Sequence, residues 1–182
     1  MKTLALLAFF SAVLMINAKL PSSTYTIQSL AHNTNWDVCN SGSFCGGTYG
    51  NLYNNPYFGD EFQRFVVTAL PSGFYTIKSV ANNLFVTAAA DSGNSVDTLF
   101  LSAENSGPSQ QYAITSRPDG SYFIKPREAS YLAFESPSST YEDLYLATKD
   151  CSSTVQRFIF QDQNLALAMK SLKSSASPRR TE

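Results

Sequence analysis

The feature that most narrows the folds open to this 182-residue chain is a motif that recurs three times. Tyr25-Thr26-Ile27-Gln28, Tyr75-Thr76-Ile77-Lys78 and Tyr122-Phe123-Ile124-Lys125 each alternate apolar with polar residues, the pattern of a half-buried strand. A second marker keeps the same period. Gln63-Arg64-Phe65, Gln110-Gln111-Tyr112 and Gln156-Arg157-Phe158 are all Gln-x-aromatic, and each leads into a strand-like segment. Two independent markers in one order, both repeating about every 46–50 residues, point to internal triplication.

Other segments line up between the markers. Trp36-Asp37-Val38, Leu84-Phe85-Val86 and Tyr131-Leu132-Ala133 read as second strands, and Leu99-Phe100-Leu101 matches Leu144-Tyr145-Leu146 as third strands, with Asn51-Leu52-Tyr53 a weaker equivalent. The connections are rich in Asn, Ser, Gly and Asp, which are turn residues. Each unit therefore holds about four short strands, about twelve in all. A lone hairpin cannot bury its apolar face. Three units closing on one another share a core and hide most strand edges.

Three Gln-x-aromatic repeats of this length resemble the β-trefoil, most closely the ricin-B-type lectins, over roughly residues 22–161. The resemblance implies an all-β fold: a β-trefoil of three four-stranded repeats with pseudo-threefold symmetry, plus a short C-terminal tail. In that family the aromatic of the marker is usually Trp and fills the core. Here Phe, Tyr and Phe stand there, so neighbouring side chains have to fill the difference.

Around this unit the chain divides into three parts. Residues 1–18 read as a secretory signal: Lys2, an apolar run from Leu4 to Met15 broken only by Ser11, then Ile16-Asn17-Ala18 before Lys19. That run falls short of the about 20 residues that span a bilayer. Residues 19–161 form the trefoil, and 162–182 are a tail. There Leu165, Ala168, Met169 and Leu172 fall at helical spacing, ahead of a Ser-rich, disordered end. A secreted, extracellular protein without a membrane span is expected, and secretion permits disulfides. Three cysteines leave one over: Cys39 and Cys45 closing a small loop is one option, and a pairing that includes Cys151 is another.

Composition excludes several functions. With a net charge of −1 and a pI of 5.8, the chain has no broad basic surface for nucleic acid. Its single histidine, His32, lies in an Asn-rich turn with no nucleophile signature nearby. No elbow, zinc-helix or phosphate-loop motif occurs. No catalytic residue, metal or cofactor is expected, and the chain reads as a binding protein rather than an enzyme.

Sugar binding needs less. A carboxylate accepts charge-assisted hydrogen bonds from hydroxyls, an amide supplies a donor and an acceptor, and a ring covers the C–H face. The resemblance implies a first-repeat site in which Asp37 grips hydroxyls, Gln63 closes the repeat and Tyr53 stacks, with Tyr49 and Tyr57 nearby. One departure stands out: Glu61-Phe62 replaces the Asn that the family places before the closing glutamine. The other repeats look poorer. Where Asp37 stands, the second repeat offers Phe85 or Val86 and the third Leu132 or Ala133; Asn82, Asn83 and Glu135 could substitute but read rather as turn or rim residues. One such site at most is expected, or sites outside the family's usual positions. The leading expectation is a secreted, non-catalytic lectin for glycans or glycoproteins, a monomer or weak dimer. The alternative is a protease inhibitor of the same fold acting through segments 50–59 or 91–97, since fold alone does not decide function.

Overall fold

The computed structural model describes residues 19–38, 51–89, 98–129, 132–138 and 142–175. The expected signal segment 1–18, Cys39, Cys45, Tyr49, the 91–97 loop and the chain end beyond 175 lie outside the described residues.

The alternating segments form strands as expected. The first repeat contributes β1 (Ser23–Ser29), β2 (Asn35–Val38), β3 (Leu52–Asn55) and β4 (Phe65–Ala69). The second contributes β5 (Tyr75–Ser79), β6 (Phe85–Ala89), β7 (Thr98–Ser102) and β8 (Tyr112–Ser116). The third contributes β9 (Tyr122–Pro126), β10 (Leu132–Glu135), β11 (Glu142–Asp143), β12 (Tyr145–Thr148) and β13 (Phe158–Asp162). The short β11 is one strand more than the expected twelve; it pairs with β3 of the first repeat.

Six strands close a barrel. β1 pairs with β4, β4 with β5, β5 with β8, β8 with β9, β9 with β13, and β13 again with β1, all antiparallel. Closure removes the free edges that a single repeat would expose. The other strands form three hairpins, β2–β3, β6–β7 and β10–β12. These touch in turn through Asn51–Phe100, Tyr145–Thr98 and Tyr53–Asp143. The architecture is thus a β-trefoil, as the repeats imply.

Its core shows how smaller marker rings are accommodated. Phe65, Tyr112 and Phe158 follow the three glutamines and are all fully buried. Trp36, on β2, reaches two of them edge-on, Phe65 at 5.9 Å and Phe158 at 5.4 Å between ring centres, and stacks on Phe134 at 5.3 Å. The missing indole volume is therefore supplied from a neighbouring strand. Tyr112 carries a hydroxyl into this core and donates it to the Val86 carbonyl at 2.7 Å, which removes the penalty for burying it.

The tail forms α1 (Gln163–Ser175), begun by the Asp162 carboxylate accepting from the Asn164 and Leu165 amides. Polar contacts tie it to β1, with Gln163 donating to Thr26 and Asn164 to Ser23. Leu165 and Met169 of the expected apolar spacing stay exposed, as does Leu167. Among the described residues no helix is long and apolar enough to cross a membrane.

Candidate functional site

The three marker glutamines are almost fully buried and make one arrangement three times. Gln63 donates from Nε2 to Asp37 Oδ2 at 3.0 Å and to the Pro56 carbonyl at 2.6 Å, while its Oε1 accepts from the amides of Phe58 (2.7 Å) and Gly59 (3.3 Å). Both donors and both lone pairs of the carboxamide are used. Gln110 donates to Thr87 Oγ1 at 3.0 Å, to Ser102 Oγ at 3.0 Å and to the Ala103 carbonyl at 2.9 Å, and accepts from the Asn105 amide at 2.9 Å. Gln156 donates to Glu135 Oε2 at 2.9 Å and the Thr148 carbonyl at 3.0 Å, and accepts from the Asp150 amide at 2.9 Å. Each glutamine thus ties the loop before it to a polar side chain on the second strand of its repeat.

That side chain is Asp37, Thr87 or Glu135. Strand register gives the same equivalence, since Asp37 faces Tyr53, Thr87 faces Phe100 and Glu135 faces Tyr145. This corrects the alignment read from the sequence. Trp36-Asp37-Val38 corresponds to Val86-Thr87-Ala88 and Phe134-Glu135-Ser136, two and three residues further along than expected. The buried ring or aliphatic of each hairpin sets the register, and Trp36, Val86 and Phe134 are all fully buried. Glu135 is therefore no rim residue: it stands where Asp37 stands. The usable signal was a constant offset from the opening tyrosine, 12 residues to Asp37 and Thr87 and 13 to Glu135.

Structure brings Asp37, Tyr53 and Gln63 together. Asp37 is 7% exposed, and its carboxyl is raised from 3.8 chiefly by burial, against the opposing hydrogen bonds from Asn55 and Gln63. Tyr53 lies across the strand pair from Asp37 but is only 8% exposed. The open rings are Tyr57 and Phe58, 55% and 58% exposed, on the loop whose amides Gln63 holds. Tyr57 packs against Gly59, whose carbonyl accepts from Arg64 Nη2 at 2.8 Å. Asp60 accepts from the Phe62 amide, capping the turn that leads into Gln63. In the third repeat the Tyr145 hydroxyl donates to Glu135 Oε1 at 2.6 Å. Burial first, then the bond to Glu135 and its charge, push that phenol up to about 12, so it remains a donor. The second repeat presents hydroxyls alone. Among the described residues no cluster of His, Cys, Asp and Glu could hold a metal ion.

Comparison with known proteins follows this geometry. A family model described as a ricin-type β-trefoil lectin domain-like matches residues 61–144. Among solved structures, a designed threefold-symmetric protein, ThreeFoil, is similar with a TM-score of 0.67 and 17% identity, over 76% of this chain and 98% of that one. The Rhizoctonia solani agglutinin is similar with a TM-score of 0.66 and 15% identity, over 81% and 100%. The Macrolepiota procera ricin B-like lectin, solved in complex with lactose, is similar with a TM-score of 0.64 and 11% identity, over 79% and 97%. No match was found among curated proteins. The chain has the β-trefoil fold, and the likeness to the ricin-type lectin-like model covers its residues 61–144.

Proposed function

We propose that this protein is a secreted, non-catalytic lectin that grips neutral sugars in the first and third repeats. One observation carries the reading: a carboxylate held by a buried glutamine, Asp37 Oδ2 to Gln63 Nε2 at 3.0 Å, beside a loop bearing two exposed rings. The glutamine fixes one oxygen and leaves the carboxylate as acceptor for sugar hydroxyls, with charge-assisted bonds stronger than neutral ones. Tyr57 or Phe58 covers the apolar sugar face. Glu135, held by Gln156 and Tyr145, supplies the same acceptor in the third repeat. Each grip is weak, and two on one chain raise avidity for branched or clustered glycans.

The test is a glycan array probed with protein recovered from the medium of expressing cells, beside the Asp37→Asn/Glu135→Gln double variant and an inhibition panel of serine and cysteine proteases. Array binding lost in the double variant is expected. Failure to reach the medium, or an empty array with potent protease inhibition, would overturn the reading.

A further inference from the structure

A second surface feature is unlike the glutamine sites. Thr115, Arg117, Phe123, Lys125, Lys149 and Cys151 line a cavity of about 180 Å³. Three cationic side chains, two from the β8–β9 hairpin and one from the loop after β12, contribute to its lining, on a chain whose net charge is −1. Such a gathering of like charge costs repulsion unless something negative offsets it. No carboxylate is among the lining residues. The one ion pair among the described residues joins Arg157 to Asp119 at 3.1 Å, and Arg157 is not in the lining. Asp150, between Lys149 and Cys151, accepts from the Ser152 amide and hydroxyl. Both acids lie outside the lining and keep their charge, and the three lining cations with Arg157 outnumber them.

We propose that this cavity binds an oxyanion, a sulfate or carboxylate group, with Arg117, Lys125 and Lys149 as its charge partners and Thr115 as a neutral hydrogen-bonding side chain. Size restricts the ligand. Pockets for drug-sized molecules run from about 300 to about 1,000 Å³, so this one takes a single charged group or one substituted sugar ring. Phe123, only 4% exposed, supplies an apolar part of the lining. The 149–151 loop also has a second role: its Asp150 amide is held by Gln156 of the third-repeat site. An acidic substituent on a glycan and a free anion share this chemistry, and the experiment separates them.

The full-length protein is titrated calorimetrically with galactose, galactose 6-sulfate and sodium sulfate. Sulfate-bearing ligands are expected to bind, with affinity falling as salt is added. Lys125→Gln/Lys149→Gln should weaken that binding about tenfold, the worth of one or two charge-assisted bonds, while Lys125→Arg/Lys149→Arg retains it. Tighter binding of galactose 6-sulfate than of sulfate identifies a glycan as the source, and equal binding identifies the free anion. Bound anion should also slow alkylation of the exposed Cys151 by iodoacetamide. No binding of either sulfate ligand, or equal binding by the Gln double variant, overturns the proposal. The inference is independent of the neutral-sugar reading: Asp37→Asn should leave sulfate binding intact.

Discussion

At the scale of single residues, the closing glutamines have a structural duty, and the proposed sugar grip adds a second that the three repeats separate. Gln110 holds only hydroxyls and backbone, so Gln110→Ala should cost about 1–3 kcal/mol through the orphaned Asn105 amide and leave glycan affinity unchanged. Urea unfolding with parallel titration checks it, and loss of sugar binding in this variant would contradict the division. Asp37 makes a pH argument with a definite sign. Its folded carboxyl lies above 3.8, mainly because it is buried, so the native state holds that proton more tightly than the unfolded chain. Its effect on stability is favourable at low pH and is lost as pH rises through the window above 3.8. Binding runs the other way, because the acceptor is the carboxylate. First-site affinity should therefore fall on acidification with a midpoint above 3.8, measured by titration across pH, and a midpoint at or below that value would contradict the account.

At the scale of elements, the loop joining β3 to β4 carries the open rings and is shaped by Gly59. Its φ is +77°, and an added Cβ would lie 3.3 Å from the Tyr57 hydroxyl oxygen. Gly73, in the β4–β5 turn, has φ of +86° with nothing near its Cβ position. Alanine at either strains the left-handed backbone by about 1–2 kcal/mol. Only Gly59→Ala also displaces the ring, so it alone should lower first-site affinity, on the order of tenfold, the worth of one good contact. Thermal melts with glycan titration of both variants separate the effects; equal affinity losses would refute the role of the loop. How far these elements were legible in the sequence depends on what kept them in place. Opening tyrosines and closing glutamines sit at barrel positions that every repeat must fill alike, so their period shows. Thr87 occupies the Asp37 position with different chemistry, and Glu135 occupies it with the same chemistry one residue later from its opening tyrosine, so the position does not show as a motif. Tyr57 stood out as a ring near the site. That it and Phe58 are the exposed rings, while Tyr53 is enclosed, depends on how the loop folds back onto Gln63.

At the scale of the whole molecule, a symmetric scaffold carries unequal sites. The six-stranded barrel and the three hairpins follow from triplication, and the buried Trp36 fills core volume beside the smaller marker rings of its own repeat and the third. The cationic cavity was invisible in the sequence for the opposite reason, since its six residues come from the β8–β9 hairpin and the loop after β12. Symmetry would give three sugar sites; the proposed reading has two. The most direct measurement follows the four backbone amides that report on the closing glutamines, by nuclear magnetic resonance, as the best array sugar is added. The account predicts that Phe58, Gly59 and Asp150 move while Asn105 stays, and that Asp37→Asn silences the first pair alone. Movement of Asn105 equal to the rest, or no movement of any of the four at saturating sugar, would contradict it.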